Sequence, residues 1–268
     1  ECCCHYCRQG MEEAGLDWTA EADRKRFSKR VLQRYLDEVT AVLRTHRDDM
    51  PVFHNSSMAP RGDRSFYEAG EVVEIEAVPT GGWGYDHFPI SARYLDGHGY
   101  EIMGVTTRFH VVWGELGGLK HPNALRAEAA TMLAHGASIC IGDHLDPGGQ
   151  LDADAWAMIK QTFSETKLVS PHVVGTRPGA DVGLLSSVGV HAPGALERKH
   201  RDCVEDDGAY RVLSQGHQLF DVLDTSCDFS AYKAIILPDR IRLNETLSEK
   251  LRAYISGGGG VLLTAESG

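Results

Sequence analysis

Glu74 and Glu76 end the run Glu71-Val-Val-Glu-Ile-Glu76, and Trp83 and His87 follow it in Gly81-Gly-Trp-Gly-Tyr-Asp-His87. A second cluster, Arg108-Phe-His110 and Trp113-Gly-Glu115-Leu-Gly-Gly118, stands just beyond the apolar run Ile102 to Thr107. Indole faces suit the C–H side of a pyranose, carboxylates and imidazoles bind its hydroxyls, and glycine lets the backbone come close. Cleaving a glycosidic bond takes two carboxyl groups, roughly 5 Å apart for retention and wider for inversion, one of them held protonated by an apolar or like-charged setting. Glu115, between Trp113 and Gly117-Gly118, is the candidate acid/base, because an indole beside a carboxyl desolvates it. Glu76 is the second catalytic candidate: strand alternation puts Glu74 and Glu76 on one face, which inside a barrel is the lumen.

Each assignment has a bland alternative. Glu115 can be an exposed loop carboxylate, and Glu74 and Glu76 can be polar contacts between sheet and helix. Trp83 and Trp113 are read as sugar-stacking platforms, though one can pack beneath its own loop. His87 and His110 are read as hydrogen-bonding hydroxyls, although a single histidine is more often structural. Arg108 is expected to pair with and orient a neighbouring carboxylate. Asp143 ends the strand-like Ala137-Ser-Ile-Cys-Ile-Gly-Asp143 at the rim and is read as substrate-binding, with a helix N-cap as its ordinary alternative. Pro51-Val-Phe-His-Asn55 reads as a short buried strand delivering His54 and Asn55 to the same rim.

A second constellation opens the chain. Cys2, Cys4 and Cys7 have thiolate spacing tight enough for one zinc, but a closed site needs a fourth ligand, and His5 is poorly placed to supply it. The alternative is a set of unligated cysteines in a surface loop. No other cofactor is required. Cys140, Cys203 and Cys227 are scattered, so this is no disulfide framework, and a reducing, cytoplasmic compartment is expected.

The elements that must position these residues alternate. A helix from Thr19 to His46, capped by Thr19, turns Phe27, Val31, Tyr35, Val39 and Val42 to one side, and Met58 to Gly70 is a polar loop. Then come strands at Val72 to Val78, Tyr100 to Thr107 and Ala137 to Asp143. Helices follow them around Ile90 to Gly97, after His121, and from Asp152 to Glu165, the last burying Trp156, Ile159 and Phe163. Chemistry gathered where successive strands stop is the signature of a parallel β/α barrel, of which about four of eight units are present. The loop Ser170 to Gly179 marks a boundary between a partial TIM-barrel domain at 1–169 and a second domain at 180–268. In the second, Val182 to Val190, Asp221 to Asp224, Ala234 to Pro238 and Val261 onward are strands. Gly208 to Phe220 is a helix, as is the stretch after Asn244, with Leu247, Leu251, Tyr254 and Ile255 inward. Apolar runs without alternation mean a doubly wound parallel sheet.

With 268 residues, 42% of them hydrophobic, there is material for a sizeable core. A formal charge of −11 argues against nucleic acid or an anionic membrane as partner, and no apolar run reaches spanning length. The start at Glu1 without Met, and the end directly after Val261 to Thr264, read as those of a piece of a longer protein. Gly81-Gly-Trp-Gly lacks the G-x-G-x-x-G spacing of a dinucleotide loop.

Glu74 to Pro89, Arg108-Phe-His110, Trp113 to Gly118 and Ile141-Gly-Asp-His-Leu145 resemble the hypothetical glycosyl hydrolase 6 family, barrel proteins related to α-L-fucosidases of glycoside hydrolase families 29 and 151. The second domain resembles the β-galactosidase trimerisation domain, a glutamine-amidotransferase-like flavodoxin fold that follows the barrel in family 42 β-galactosidases. The resemblance implies the C-terminal half of a (β/α)8 barrel, a retaining glycosidase parent acting on an oligosaccharide or glycoside, and a homotrimer. It also places one essential carboxylate upstream of residue 1, so the chain alone is expected to be inactive. The cysteine run is similar to the family 42 zinc cluster, whose further cysteine is absent here. Thr264-Ala-Glu266-Ser-Gly268 carries Glu where an amidotransferase has its nucleophilic Cys, so the second domain is read as an assembly module. The alternative for the whole is a non-catalytic carbohydrate-binding or assembly protein.

Overall fold

A computed structural model describes residues 2–55, 59–177, 179–194 and 204–268; Met58 of the expected polar loop, Pro178 of the expected boundary loop and Cys203 lie outside the described residues. The chain divides into two compact units, Glu1–His54 with Ser65–Glu71, and Asn55–Arg64 with Val72–Gly268.

The first unit is helical. Helix α1 (His5–Glu13) starts at Cys4, and α2 (Glu21–His46) starts at Ala20 without a side-chain cap. The expected Thr19 cap is absent because its hydroxyl donates instead to Asp17 Oδ1 at 2.7 Å. The buried stripe of α2 also differs from expectation. Leu36 is the buried residue, while Val31, Tyr35 and Val42 are exposed, so the inward face is rotated from the one that the β-branched residues mark. Pro51 to Asn55 is not a strand. Val52 is buried, Phe53 is 49% exposed, and a mutual pairing of Val52 with Glu71 replaces a ladder: Val52 N–H donates to Glu71 Oε2 and Glu71 N–H to Val52 O.

The second unit carries two parallel sheets, which places the chain in the mixed α/β class. Strands β1 (Val72–Glu76), β2 (Glu101–Thr107) and β3 (Ser138–Gly142) pair in that order, with Glu76 opposite Val105 and Val105 opposite Cys140. Their connections are α3 (His87–Asp96) and α4 (Pro122–Ala134), and α5 (Ala153–Val169) follows β3. A side chain on Gly104 would run into Met132 and Phe88, and Ile141 packs on Leu125, Met158 and Ile159. Those residues therefore mark the helix-covered face. By alternation Glu74, Glu76, Val105, Thr107, Cys140 and Gly142 belong to the opposite face.

Strand β4 (Val182–Leu185) stops short of the expected Val190, because Ser186 caps the short helix α6 (Ser187–His191) by accepting from Gly189 N–H. Helix α7 (Val204–Gln215), β5 (Phe220–Leu223), β6 (Ala234–Leu237), α8 (Glu245–Ser256) and β7 (Gly260–Leu263) complete a sheet ordered β5-β4-β6-β7, all parallel. Leu185, Leu223, Phe229, Ile235, Leu237, Leu247, Leu251 and Tyr254 form its core. Ile255, expected inward, is exposed, as are Trp156 and Phe163 of α5, whose inward stripe is Ala155, Met158, Ile159 and Thr162.

Helix α3 explains why the second unit coheres. It packs on β1 and β2 and also on β5, so nearly its whole surface is covered: Phe88, Ile90, Tyr94 and Leu95 are all buried. Arg93 donates to Phe220 O at 2.7 Å and lies over the Phe220 ring. Among the described residues, no helix is long and apolar enough to cross a membrane.

Candidate functional site

The ends of β1, β2 and β3 place most of the sequence-predicted residues along one edge. After β1, Pro79–Trp83 forms a wide turn kinked at Gly81, whose φ of −92° and ψ of −136° are not helical. Gly81 lies so close to the Val111 carbonyl that a side chain there would collide with it, and the Thr80 hydroxyl donates to His110 O. The loops carrying Trp83 and Trp113 are thereby brought together. A side chain on Gly142 would fall on the Trp113 ring, so this indole lies across the tip of β3 on the face of Glu74 and Glu76, and it keeps 40% exposure.

Glu74 is buried, at 2% exposure, and Glu76 is half-buried. Asn55 Nδ2 donates to Glu76 Oε1 at 3.4 Å, a long bond that ties one predicted residue to another. The His87 ring is buried, with Nε2 3.1 Å from the Glu76 carbonyl oxygen, and the Trp83 ring stands over it at 5.0 Å between centroids. His87 therefore supports the β1 end and the Trp83 loop from below. His110 is exposed on the loop rim. His54 lies in the first unit, its Nε2 3.0 Å from Thr40 Oγ1.

Glu115 is half-buried, and its carboxylate is engaged locally. Oε2 accepts from Val111 N–H at 2.8 Å, and the group lies over Gly118, where any side chain would strike it. Gly118 thus has a steric reason, whereas a side chain on Gly117 would meet open space. Gly114 supplies the positive φ of 78° that lets the loop turn between Trp113 and Glu115.

Arg108 organises the base of this loop. Its Nε donates to Asp143 Oδ1 at 2.8 Å, and Nη1 donates to the carbonyls of Leu116 and Gly118 at 3.1 and 3.0 Å. Asp143 caps no helix. Burial pushes its carboxyl up, but the Arg108 bond and the His144 N–H bond together outweigh burial and hold it below the usual range. Its other oxygen, Oδ2, is buried without a hydrogen-bond partner, as is His144 Nδ1. A lowered folded pKa contributes stability above the unfolded value of about 3.9 that is lost as pH falls through the folded value. Asp143→Asn is therefore expected to cost about 1.5–3 kcal/mol near neutrality, the range for a hydrogen bond to a charged group. Urea titrations should show that the deficit shrinks as pH drops below about 4.

Beneath the loop lies a buried trio that no local sequence pattern marks. Lys120 Nζ donates to Glu128 Oε2 at 2.6 Å and to Thr106 Oγ1 at 3.0 Å, while Lys120 N–H donates to Arg108 O. Burial pushes the ammonium down and the Glu128 carboxyl up, each opposed by the partner's charge. With Arg108 at one end and Lys120 at the other, the segment bearing Trp113 and Glu115 is clamped at both ends.

The cysteine run lies in the first unit. The sulfurs of Cys2, Cys4 and Cys7 are within 4.8 Å of one another at the start of α1. Hydrogen bonds from the Cys7 backbone, then from the Cys2 and Cys7 side chains, lower the Cys4 thiol to about 7, and those with Cys2 and Cys4 raise Cys7 to about 11. Three sulfurs this close fit three corners of a tetrahedral zinc site.

No curated protein matches the chain. Residues 197–268 match the family model for the β-galactosidase trimerisation domain. Among solved structures, α-L-fucosidase isoenzyme 2 from Paenibacillus thiaminolyticus is 38% identical with a TM-score of 0.91, over 98% of this chain and 40% of that one. The β-galactosidase from Bacillus circulans sp. alkalophilus follows at 17% identity and a TM-score of 0.73, over 92% of this chain and 40% of that one. That of the Antarctic haloarchaeon Halorubrum lacusprofundi is 19% identical with a TM-score of 0.68, over 90% and 41%. The chain thus spans about 40% of the length of the structures it matches, and it is similar to a fucosidase along nearly all of its own length.

Proposed function

We propose that the intact protein is a retaining glycoside hydrolase acting on α-L-fucosides or β-D-galactosides, and that β1 to β3 with α3 to α5 are an arc of its (β/α)8 barrel. The observation that carries this reading is the 38% identity to the fucosidase over 98% of the chain. It is supported by the half-buried carboxylates and exposed indole gathered at one edge of a parallel sheet, where barrel enzymes place their chemistry. In this proposal Glu115 is the acid/base and Glu76 the second carboxylate, oriented by Asn55. Trp83 and Trp113 stack on sugar, and Glu74, His87, His110, Arg108 and Asp143 bind or position hydroxyl-bearing groups around them.

The second sheet, ordered β5-β4-β6-β7, is on this reading a flavodoxin-like domain that assembles the protein as a trimer, a role supported by the match over residues 197–268. Cys2, Cys4 and Cys7 would hold a structural zinc with a fourth ligand from elsewhere. The intact protein should release chromophore from an aryl α-L-fucoside or an aryl β-D-galactoside. Saccharide binding without turnover of either would reject the hydrolase in favour of a carbohydrate-binding assembly protein.

A further inference from the structure

A second polar cluster lies away from the sheet edge just described. Asp224 follows β5 directly, Cys227 comes three residues later, and His98 stands in the turn after α3. His98 Nε2 is 3.6 Å from Cys227 Sγ and 3.4 Å from Asp224 Oδ2, and Cys227 Sγ is 3.6 Å from Asp224 Oδ1. The His98 and Asp224 side chains are 2% and 1% exposed, and Cys227 is 8% exposed.

These separations have a chemical meaning. With zinc–sulfur bonds of about 2.3 Å and zinc–nitrogen or zinc–oxygen bonds of about 2.0–2.2 Å, tetrahedral ligand atoms stand about 3.3–3.6 Å apart. One atom from each of the three residues lies within 4.8 Å of the other two. Thiolate, imidazole and carboxylate together are a donor set that suits zinc better than a hard cation. The surroundings also resemble a built metal site. Tyr94 Oη donates to Asp224 Oδ2 at 2.7 Å, Ser226 N–H donates to Oδ1 at 2.7 Å and the Ser226 hydroxyl donates to the same oxygen, so the carboxylate is held in place by groups that are not ligands. Asp224 N–H points at the Cys227 sulfur at 3.4 Å.

We propose that His98, Asp224 and Cys227 form a structural zinc site that ties the turn after α3 to the end of β5. The ion takes the place of the Cys227 thiol proton, and His98 binds through Nε2 as the tautomer that carries its proton on Nδ1. Cys227 gives up its proton to solvent on binding, His98 binds as the neutral imidazole, and water completes the fourth position. The site is distinct from Cys2, Cys4 and Cys7, with which it shares no residue.

Cobalt(II) is the probe, because a thiolate ligand to cobalt gives a near-ultraviolet charge-transfer band. In protein carrying Cys2→Ser, Cys3→Ser, Cys4→Ser and Cys7→Ser, native mass spectrometry should find one cobalt per chain, and the band should be present. Cys227→Ser and His98→Ala should abolish both, while Cys140→Ser and Cys203→Ser leave them intact. Zinc should raise the Tm of the four-serine protein and not that of its Cys227→Ser derivative. No bound cobalt in the four-serine protein, or a band that survives Cys227→Ser, overturns the proposal and leaves a cluster joined by hydrogen bonds alone. The first of those measurements needs no change at position 227, so it decides the case even if Cys227→Ser fails to fold.

Discussion

Glu115→Gln in the intact protein is expected to lower turnover by about 10²–10⁴-fold, the usual contribution of a positioned general acid or base, with saccharide affinity changed by no more than a few fold. The substitution separates chemistry from architecture because of the bond Glu115 makes. Its carboxylate accepts from Val111 N–H and lies over Gly118. A glutamine amide oxygen can accept the same bond in the same space, so the loop should close as before, with Trp113 still over Gly142. What glutamine cannot do is exchange a proton with the leaving oxygen. Glu115→Ala removes the acceptor as well and should disturb the loop, which would show in the Trp113 fluorescence. If Glu115→Gln turns over aryl glycoside at the parent rate, Glu115 is only the clasp of its own loop. The acid must then be sought among Glu74, Glu76 and Asp143.

The parts of this arrangement legible in the sequence are those set by neighbours along the chain. Val72–Glu76, Glu101–Thr107 and Ser138–Gly142 are apolar runs closed by glycine or charge, and each is a strand. Alternation placed Glu74 and Glu76 on one face, and an arginine next to a strand end was expected to find a carboxylate, which proved to be Asp143. The errors arose where the outcome depends on what lies opposite. Trp156 and Phe163 lie off the inward stripe of α5, and Ile255 off that of α8, although size and hydrophobicity alone would bury all three. Ser186 ended β4 early because a hydroxyl that can cap a helix competes with the extended backbone around it. Lys120 with Glu128, and His98 with Asp224 and Cys227, pair residues that no local pattern links. A lone lysine after a glycine-rich loop reads as solvent-exposed until the fold is known.

The same reasoning isolates the costliest single change in the second sheet. Asp206, in the first turn of α7, is 0% exposed and accepts four hydrogen bonds. Arg61 Nη1 and Ser186 Oγ donate to Oδ2 at 2.7 and 2.6 Å, and Ser187 N–H and Ser187 Oγ donate to Oδ1 at 2.8 and 2.6 Å. Arg61 is itself only 5% exposed. Asp206→Ala would strand a buried guanidinium and three further donors, and breaking one side of a buried ion pair costs about 3–5 kcal/mol. Against a total stability of about 5–15 kcal/mol for a domain, that should shift the urea midpoint far down or unfold the second sheet outright. The loss belongs mainly to the abandoned charge rather than to the attraction, so Arg61→Met added to Asp206→Ala should recover part of it. A double-mutant cycle reads that recovery as a coupling energy. A cost below about 1 kcal/mol for Asp206→Ala would mean that water reaches Arg61 readily, and that the link between Asn55–Arg64 and α7 is looser than its geometry indicates.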